Sequence, residues 1–383
     1  MRYRELGKTG LRVSEIGLGC EYLEGKSEAE TVSVIHAAMD QGINILDCFM
    51  SEPNVRSHIG QALKGRREQM YIQGHFRSVW KDGQYARTLD LDEIKSFFED
   101  LLTRLDTTYV DIGMIHMVDN EDDYNRIFHG PIYDYVRDLK QQGVIRCIGM
   151  SSHNPLVALK AVEEGLIEVL MFSTNIAYDL LDADMPRPRN LSRDFFDDLD
   201  IKGINSIRER LYHTCEAKGV GITVMKSLAA GALLDDARSP FGFAMTVPQC
   251  LHYCLTRPGV SSVMAGLQTV KEIAQAVRYE DLGEEERDYS HVLAAKPKFS
   301  LDGHCMYCNH CLPCPSHLNI AQIQKYLDLA SMQPEVPPTV KEHYISLEQT
   351  ASGCIQCGQC ENRCPFHVPI RARMKDAVIR FGC

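Results

Sequence analysis

Ile145-Arg-Cys-Ile-Gly-Met150, then Pro155-Leu-Val-Ala-Leu-Lys-Ala-Val-Glu-Glu164, then Glu168-Val-Leu-Met-Phe172: two short apolar runs flank one amphipathic run of helical length. Short apolar runs read as buried strands, and the run between them as a helix. The alternation continues outward in both directions. Strands are expected at Ile16–Gly19, Ile43–Asp47, Met70–Gly74, Val110–His116, Gly221–Met225 and Ser262–Gly266, which with the two quoted makes eight. Helical patterns fall between them at Glu28–Gln41, Asp92–Arg104, Tyr133–Gln142, Ile204–Lys218 and Thr269–Val277. Strand and helix alternating eight times is the pattern of an α/β chain closed into a (β/α)8 TIM barrel. Residues 179–202 break the rhythm with Pro186, Pro188, Asn190 and many aspartates. They read as a long loop after the sixth strand, on the face where such barrels build their sites.

The character changes after residue 298. A boundary is expected there, with the barrel in 1–298 and a mainly helical, two-cluster ferredoxin-like domain in 299–383. Eight of the fifteen cysteines fall in two runs. The first is Cys305-Met-Tyr-Cys308-Asn-His-Cys311-Leu-Pro-Cys314-Pro315; the second is Cys354-Ile-Gln-Cys357-Gly-Gln-Cys360-Glu-Asn-Arg-Cys364-Pro365. The second has the bacterial ferredoxin spacing C-x2-C-x2-C-x3-C-P. Three closely spaced thiolates wrap three irons of a cubane. The fourth, displaced by a proline-stiffened turn, reaches the remaining iron, often of the other cluster. The first run has two residues instead of three before its last cysteine. Zinc is the rival reading, but a zinc site takes four ligands and gains nothing from a third cysteine so close. Two 4Fe–4S clusters are expected on these eight thiolates. Helices are expected at Asn319–Met332 and Ile370–Phe381, with a turn at Pro334, Pro337 and Pro338.

The charge balance is mildly acidic, Lys+Arg 41 against Asp+Glu 52. No basic block marks a nucleic-acid partner. No run of about 18 apolar residues marks a membrane span. The opening Met1-Arg-Tyr-Arg-Glu-Leu6 lacks the apolar stretch of a signal peptide. Cysteines in such numbers without a signal read as a reducing cytoplasm.

Several stretches resemble the aldo-keto reductases: Tyr3-Arg-Glu-Leu-Gly-Lys-Thr-Gly-Leu-Arg-Val-Ser-Glu-Ile-Gly-Leu-Gly19, Gly42-Ile-Asn-Ile-Leu-Asp47, Tyr109-Val-Asp-Ile-Gly-Met-Ile-His116 and Ile148-Gly-Met-Ser-Ser152. The added cysteine runs look like the iron–sulfur, ferredoxin-domain-containing branch of that family. The resemblance implies carbonyl reduction with NAD(P) and a tetrad of Asp, Tyr, Lys and His. Asp47 and His116 match the Asp and the His. Glu52 stands in place of the Tyr, and His75 in place of the Lys. A phenol beside a cationic Lys is a good proton donor to a developing alkoxide. A carboxylate would repel that alkoxide unless burial kept it protonated. His75, His116 and Tyr22 are the other candidate acids. Ser151-Ser152 stands where the family has a Ser-Asn pair on the nicotinamide amide. Gly266-Leu-Gln268-Thr269 aligns with its phosphate-binding loop, Thr269 at a helix N-terminus. A flavin remains an alternative cofactor. Cys20 and Cys48 follow the first two strands and read as small buried hydrophobes or pocket residues. His153, Trp80, Phe76 and Tyr85 are candidates for shaping the pocket.

Three functions follow. One is an oxidoreductase acting on a small-molecule substrate at the barrel mouth, coupled to two clusters and a ferredoxin-like electron donor. Another is a non-redox lyase or isomerase using Asp47, Glu52, His75 and His116 as acid and base. The third is an electron-transfer protein with the barrel as scaffold.

Overall fold

The computed structural model describes residues 1–183, 203–290 and 303–383, with Phe196 and Val292. Eight parallel strands close into a barrel: β1 Ile16–Gly19, β2 Ile45–Cys48, β3 Tyr71–Phe76, β4 Val110–Ile115, β5 Ile145–Ser152, β6 Val169–Ser173, β7 Gly221–Met225 and β8 Val260–Ala265. They follow one another around the barrel in chain order, and β8 pairs back onto β1. The fold is the expected TIM barrel. No strand end differs from its expected place by more than two residues.

Parallel strands covered on both faces are apolar throughout, and all six residues of β4 are buried. Inside the barrel, Ile45, Ile112, Met114, Cys147, Val169, Met171 and Met264 form one cluster with Leu6, Leu11 and Val13 of the N-terminal hairpin. A Cβ at Gly149 would lie 2.5 Å from Met114 Sδ. The methionine fits because glycine faces it.

Helices Glu28–Asp40, Leu91–Arg104, Pro131–Gln141, Pro155–Glu163, Ser206–Lys218 and Val270–Val277 match the expected ones. Pro53–Leu63, Val247–Leu255 and Pro338–Ile345 are helices the periodicity alone did not place. The proline-rich turn holds at Pro334 and Pro337, but Pro338 begins helix Pro338–Ile345, at the first helical position, where the missing N–H costs nothing.

The chain divides into two compact units. The first is Met1–Thr174, Val220–Ser227 and Gly259–Asp281; the second is Asn175–Gly219, Leu228–Pro258 and Leu282–Cys383. All eight strands belong to the first. The expected boundary at 298 and most of the loop 179–202 lie outside the described residues. In the second unit, Asp179 is fully buried and accepts from Arg208 Nη1 at 3.2 Å, Tyr212 OH at 2.6 Å and Tyr253 OH at 2.7 Å. Arg257 stacks over the Tyr253 ring and donates to the Met306 carbonyl at 2.6 Å, joined there by Tyr289 OH at 2.7 Å. The first cysteine loop is thereby fastened to a buried ionic network. Removing one partner of such a network costs roughly 3–5 kcal/mol. Among the described residues no helix is long and apolar enough to cross a membrane.

Candidate functional site

β2, β3 and β4 are neighbours, and their C-terminal ends bring three expected residues together. Asp47 on β2 pairs in register with Gln73 on β3. His75 follows Gln73 by two and so projects from the same face. Asp47 Oδ1 accepts from Gln73 Nε2 and from His75 Nε2, each at 2.8 Å. His75 pairs with Met114 on β4, and His116 comes two residues later. The rings of His75 and His116 meet Nδ1 to Nδ1 at 2.8 Å.

The chain of hydrogen bonds has a fourth member. Tyr85 OH lies 2.7 Å from His116 Nε2. Tyr85 stands on a hairpin that leaves the end of β3, Ser78–Lys81 paired with Gln84–Arg87. Its turn, Asp82-Gly83, has φ of 51° and 74°, as a type I′ turn requires. That dipeptide was a legible hairpin signal. Arg77 opens the hairpin in the left-handed region, φ 71°. It donates from Nη1 to the His116 carbonyl at 2.8 Å and from Nη2 to Asp123 at 2.9 Å. Ser51 Oγ holds the Val79 carbonyl at 2.7 Å. Phe49 covers the His116 ring in parallel at 5.4 Å. Asp47, His75 and His116 are 2%, 2% and 8% exposed, whereas Tyr85 is 39% exposed. The phenol is the solvent end of the chain.

The protons can be placed by elimination. A carboxylate only accepts, so His75 donates from Nε2 to Asp47. With both rings neutral, His116 donates from Nδ1 to His75, and Tyr85 donates to His116 Nε2. Burial, then the neighbouring His75 and Arg77, hold His116 well below the usual imidazole range. Burial also raises the Tyr85 phenol above its ordinary value.

Glu52 does not join this chain. It is the N-cap of helix Pro53–Leu63, and its Oε2 accepts from Val55 N at 2.6 Å. Cys20 and Cys48 are fully buried, and burial pushes the Cys48 thiol up to about 12. Neither presents a thiolate.

The expected cofactor residues are occupied by the protein itself. Ser151 Oγ accepts from Met117 N at 2.8 Å, and Ser152 Oγ donates to the Val118 carbonyl at 2.7 Å. Gln268 N donates to Glu272 Oε2 at 2.7 Å, and Thr269 Oγ1 caps Glu272 N at 3.2 Å. A carboxylate thus sits where a phosphate would need a positive helix end. A Cβ at Gly266 would lie 2.7 Å from the Tyr22 ring. A nicotinamide dinucleotide would have to displace Glu272 and lift Tyr22; these residues do not fit it as they stand.

In the second unit the cysteines sort crosswise. Cys305, Cys308 and Cys311 line a cavity of about 310 Å³ together with Cys364. Cys354, Cys357 and Cys360 line one of about 360 Å³ together with Cys314. Each run lends its last cysteine to the other's cavity, whether two or three residues precede it. Four thiols therefore face each cavity, the number a 4Fe–4S cluster or a zinc ion takes.

Comparison with known proteins agrees. Residues 15–247 match the model of the aldo/keto reductase family, and residues 304–369 match that of a 4Fe-4S dicluster domain. The uncharacterized oxidoreductase YqkF of Bacillus subtilis is 32% identical over 180 residues, 46% of this chain and 57% of its own length. The aldo-keto reductase YhdN of the same organism is 29% identical over 161 residues, 40% of this chain and 47% of its own. The chain spans about half the length of these curated relatives. The solved aldo-keto reductase AKR11C1 of Bacillus halodurans, holo form, superposes with a TM-score of 0.58 at 25% identity, covering 76% of this chain and 95% of that one. A putative aldo-keto reductase of Pseudomonas aeruginosa, at 21% identity and a TM-score of 0.53, covering 73% of this chain and 95% of that one, supports the fold.

Proposed function

The chain belongs to the aldo/keto reductase family, and on that premise we propose that it is an iron–sulfur oxidoreductase in which the barrel mouth manages a proton and the cysteine unit manages electrons. Its substrate is a small molecule with a reducible carbonyl. The observation that carries the reading is the unbroken chain Tyr85–His116–His75–Asp47.

That chain has two proton states. In the neutral state every donor points inward, toward Asp47. With one proton added, His75 stands as an imidazolium against Asp47 and donates from Nδ1 to His116. His116 then donates from Nε2 to the Tyr85 oxygen, and the Tyr85 O–H is free to face a substrate oxygen. Giving that proton away returns the chain to its neutral state. Tyr85 is thus the acid for reduction and the base for oxidation, doing the work of the phenol that Glu52 replaced. Asp47, His75 and His116 position and reload it, and Glu52 is assigned to the helix cap.

Each cysteine cavity fits a 4Fe–4S cluster: Cys305, Cys308, Cys311 and Cys364 would hold one, and Cys314, Cys354, Cys357 and Cys360 the other. Bound clusters would supply electrons one at a time, here from a ferredoxin-like donor; reducing a carbonyl to an alcohol takes two of them and two protons, one given to oxygen by Tyr85 and the other to carbon from solvent water at the open mouth. Since the nicotinamide groups do not fit, no step is assigned to NAD(P) or to a flavin.

The test uses the full chain purified without oxygen. It should contain about eight irons and eight sulfides. After reduction with dithionite and removal of the excess, it should turn over members of a panel of aldehydes and ketones, while NADPH alone supports little or none. Full activity with NADPH would sink the electron assignment. A second reading keeps one observation in its favour: the relay is an acid–base device that needs no electrons. Turnover of a hydroxy acid or diol by the unreduced protein would select the lyase or isomerase instead.

A further inference from the structure

The second unit contains a cavity of about 750 Å³, its open mouth included. Helix Ser206–Lys218 gives it Glu209 and His213, four residues apart and so on one face. Cys305, Met306 and Tyr307 form another wall. The same three residues line the cavity of the first cysteine set. One layer of protein separates the two spaces.

Most polar groups around this cavity are already committed. Arg373 pairs with Asp328, which also accepts from Tyr307 OH at 2.8 Å. Arg257 holds the Met306 carbonyl. Three side chains are not committed. Glu209, His213 and His304 line the space, Glu209 and His304 exposed at its mouth and His213 buried, and among the described residues none of their side chains makes a hydrogen bond or an ion pair. His213 is 4% exposed, and its Nδ1 is buried without a partner. A buried polar atom left unpaired carries its full desolvation penalty. That nitrogen is closed off from the cavity, and Nε2 is the one left to meet a ligand there.

The kind of group left open defines the ligand. A neutral imidazole donates from one nitrogen and accepts at the other, and a carboxyl group does either according to its proton. Such groups suit oxygens whose hydrogen-bonding sense reverses. A quinone has such oxygens: on taking two electrons and two protons its two carbonyls become two hydroxyls. A phosphate or carboxylate ligand would call for free guanidinium groups, yet Arg257 and Arg373 are engaged. Ile204, Pro258, Met306 and the Tyr307 ring supply apolar surface for a flat ring. We infer that the cavity beside Cys305 binds a quinone ring, with His213 and Glu209 on its oxygens. The site goes beyond the barrel chemistry and depends on the cluster reading only for its redox surroundings.

Titration calorimetry on the anaerobic full chain, with menadione as the probe, tests this. One molecule should bind per chain and saturate. His213→Leu removes the unpaired imidazole without orphaning a partner and should weaken binding at least tenfold. Ile204→Trp, which fills the cavity, should abolish it. Both variants should retain the wild-type circular dichroism spectrum. FMN should not compete. Unsaturable binding, equal affinity in the Ile204→Trp protein, or displacement by FMN overturns the proposal. Iron and sulfide counted on the same samples separate its failure from failure of the cluster assignment: menadione binding in a chain without iron leaves the site standing.

Discussion

The barrel mouth and the Cys305 cavity use the same side chains in opposite ways. At the mouth, His75 and His116 have a partner on every ring nitrogen, and Asp47 takes two donors. Beside Cys305, buried His213 makes no hydrogen bond among the described residues, and the exposed Glu209 and His304 make none there either. A closed network in a low-dielectric site fixes tautomers and strengthens each bond. It can order a proton before any substrate arrives. An open one stores nothing and is completed only by what enters it. On the proposed reading the two regions divide along that line: the barrel holds a proton, and the cysteine unit is built around groups still to be supplied.

The largest effect is expected where a supplied group is lost. Cys357→Ser should remove about half of the iron and sulfide, since on the proposed assignment one of two clusters loses a ligand. The barrel strands all lie in the other unit, so thermal unfolding followed at the far-ultraviolet helix and strand bands should keep its main transition. The crosswise sorting is tested by Cys364→Ser. Its electron paramagnetic resonance spectrum should resemble that of Cys305→Ser, not that of Cys354→Ser. Resemblance to Cys354→Ser would restore ligation run by run and undo the exchange of fourth ligands.

Next comes the solvent end of the relay. Tyr85→Phe should lower turnover about 10²–10³-fold, the usual worth of a positioned proton donor, with cluster reduction by dithionite unchanged. His116→Ala should be at least as damaging, because it cuts the phenol from Asp47. An active Tyr85→Phe enzyme with an inactive His116→Ala partner would move the acid inward to the imidazole.

Much of the barrel was readable because parallel strands covered on both faces are apolar without interruption, and β1 and β7 stand where their apolar runs placed them. Asp47, His75 and His116 were readable because residues at the ends of successive strands share one mouth. Tyr85 escaped as a chemical residue because its hairpin is an insertion, and no strand periodicity says which imidazole a loop tyrosine will reach. Helix Val247–Leu255 escaped because five of its last six residues, Cys250 to Leu255, are apolar and all six are buried, which blurs amphipathic spacing; its Thr246–Gln249 capping box was the overlooked signal. For the cofactor residues the sequence was silent on a different matter. Ser151, Ser152 and Thr269 occupy the expected positions in the chain, but position cannot reveal that each already has a partner in the protein's own backbone, with Glu272 at the same helix end.

A smaller effect follows from the closed network's reluctance to take up charge. His116 is held below its ordinary value in the folded protein. The unfolded chain therefore binds a proton there, near pH 6.5, that the folded chain refuses. The stability linked to His116 is fully present above that pH and declines as pH falls, by up to about 1.4 kcal/mol per pH unit for one proton. Urea unfolding of wild type and His116→Gln across pH 7.5 to 5 reads this directly. The stability gap between them should narrow toward acid. A gap that widens would mean that His116 is charged in the folded protein and that the relay carries its proton one ring further out.

The smallest effect decides what became of the family's phenol position. Glu52 accepts from Val55 N at the start of helix Pro53–Leu63. Replacing a capping side chain by alanine costs roughly 0.5–2 kcal/mol, and asparagine is among the best caps. Glu52→Ala should therefore lose about 1 kcal/mol by denaturant titration, and Glu52→Asn should recover most of it. Neither should change turnover more than about twofold if, as proposed, Tyr85 donates the proton, because removing a cap leaves Tyr85 in place. The asparagine variant separates the two roles, since it can cap but cannot carry a proton. If Glu52→Asn is as stable as wild type yet inactive, the carboxyl group is the acid after all. The mouth would then hold two proton donors, one ordered by the closed network and one outside it, and the division between a barrel that stores protons in closed bonds and a unit that waits for its partners would fail at this residue.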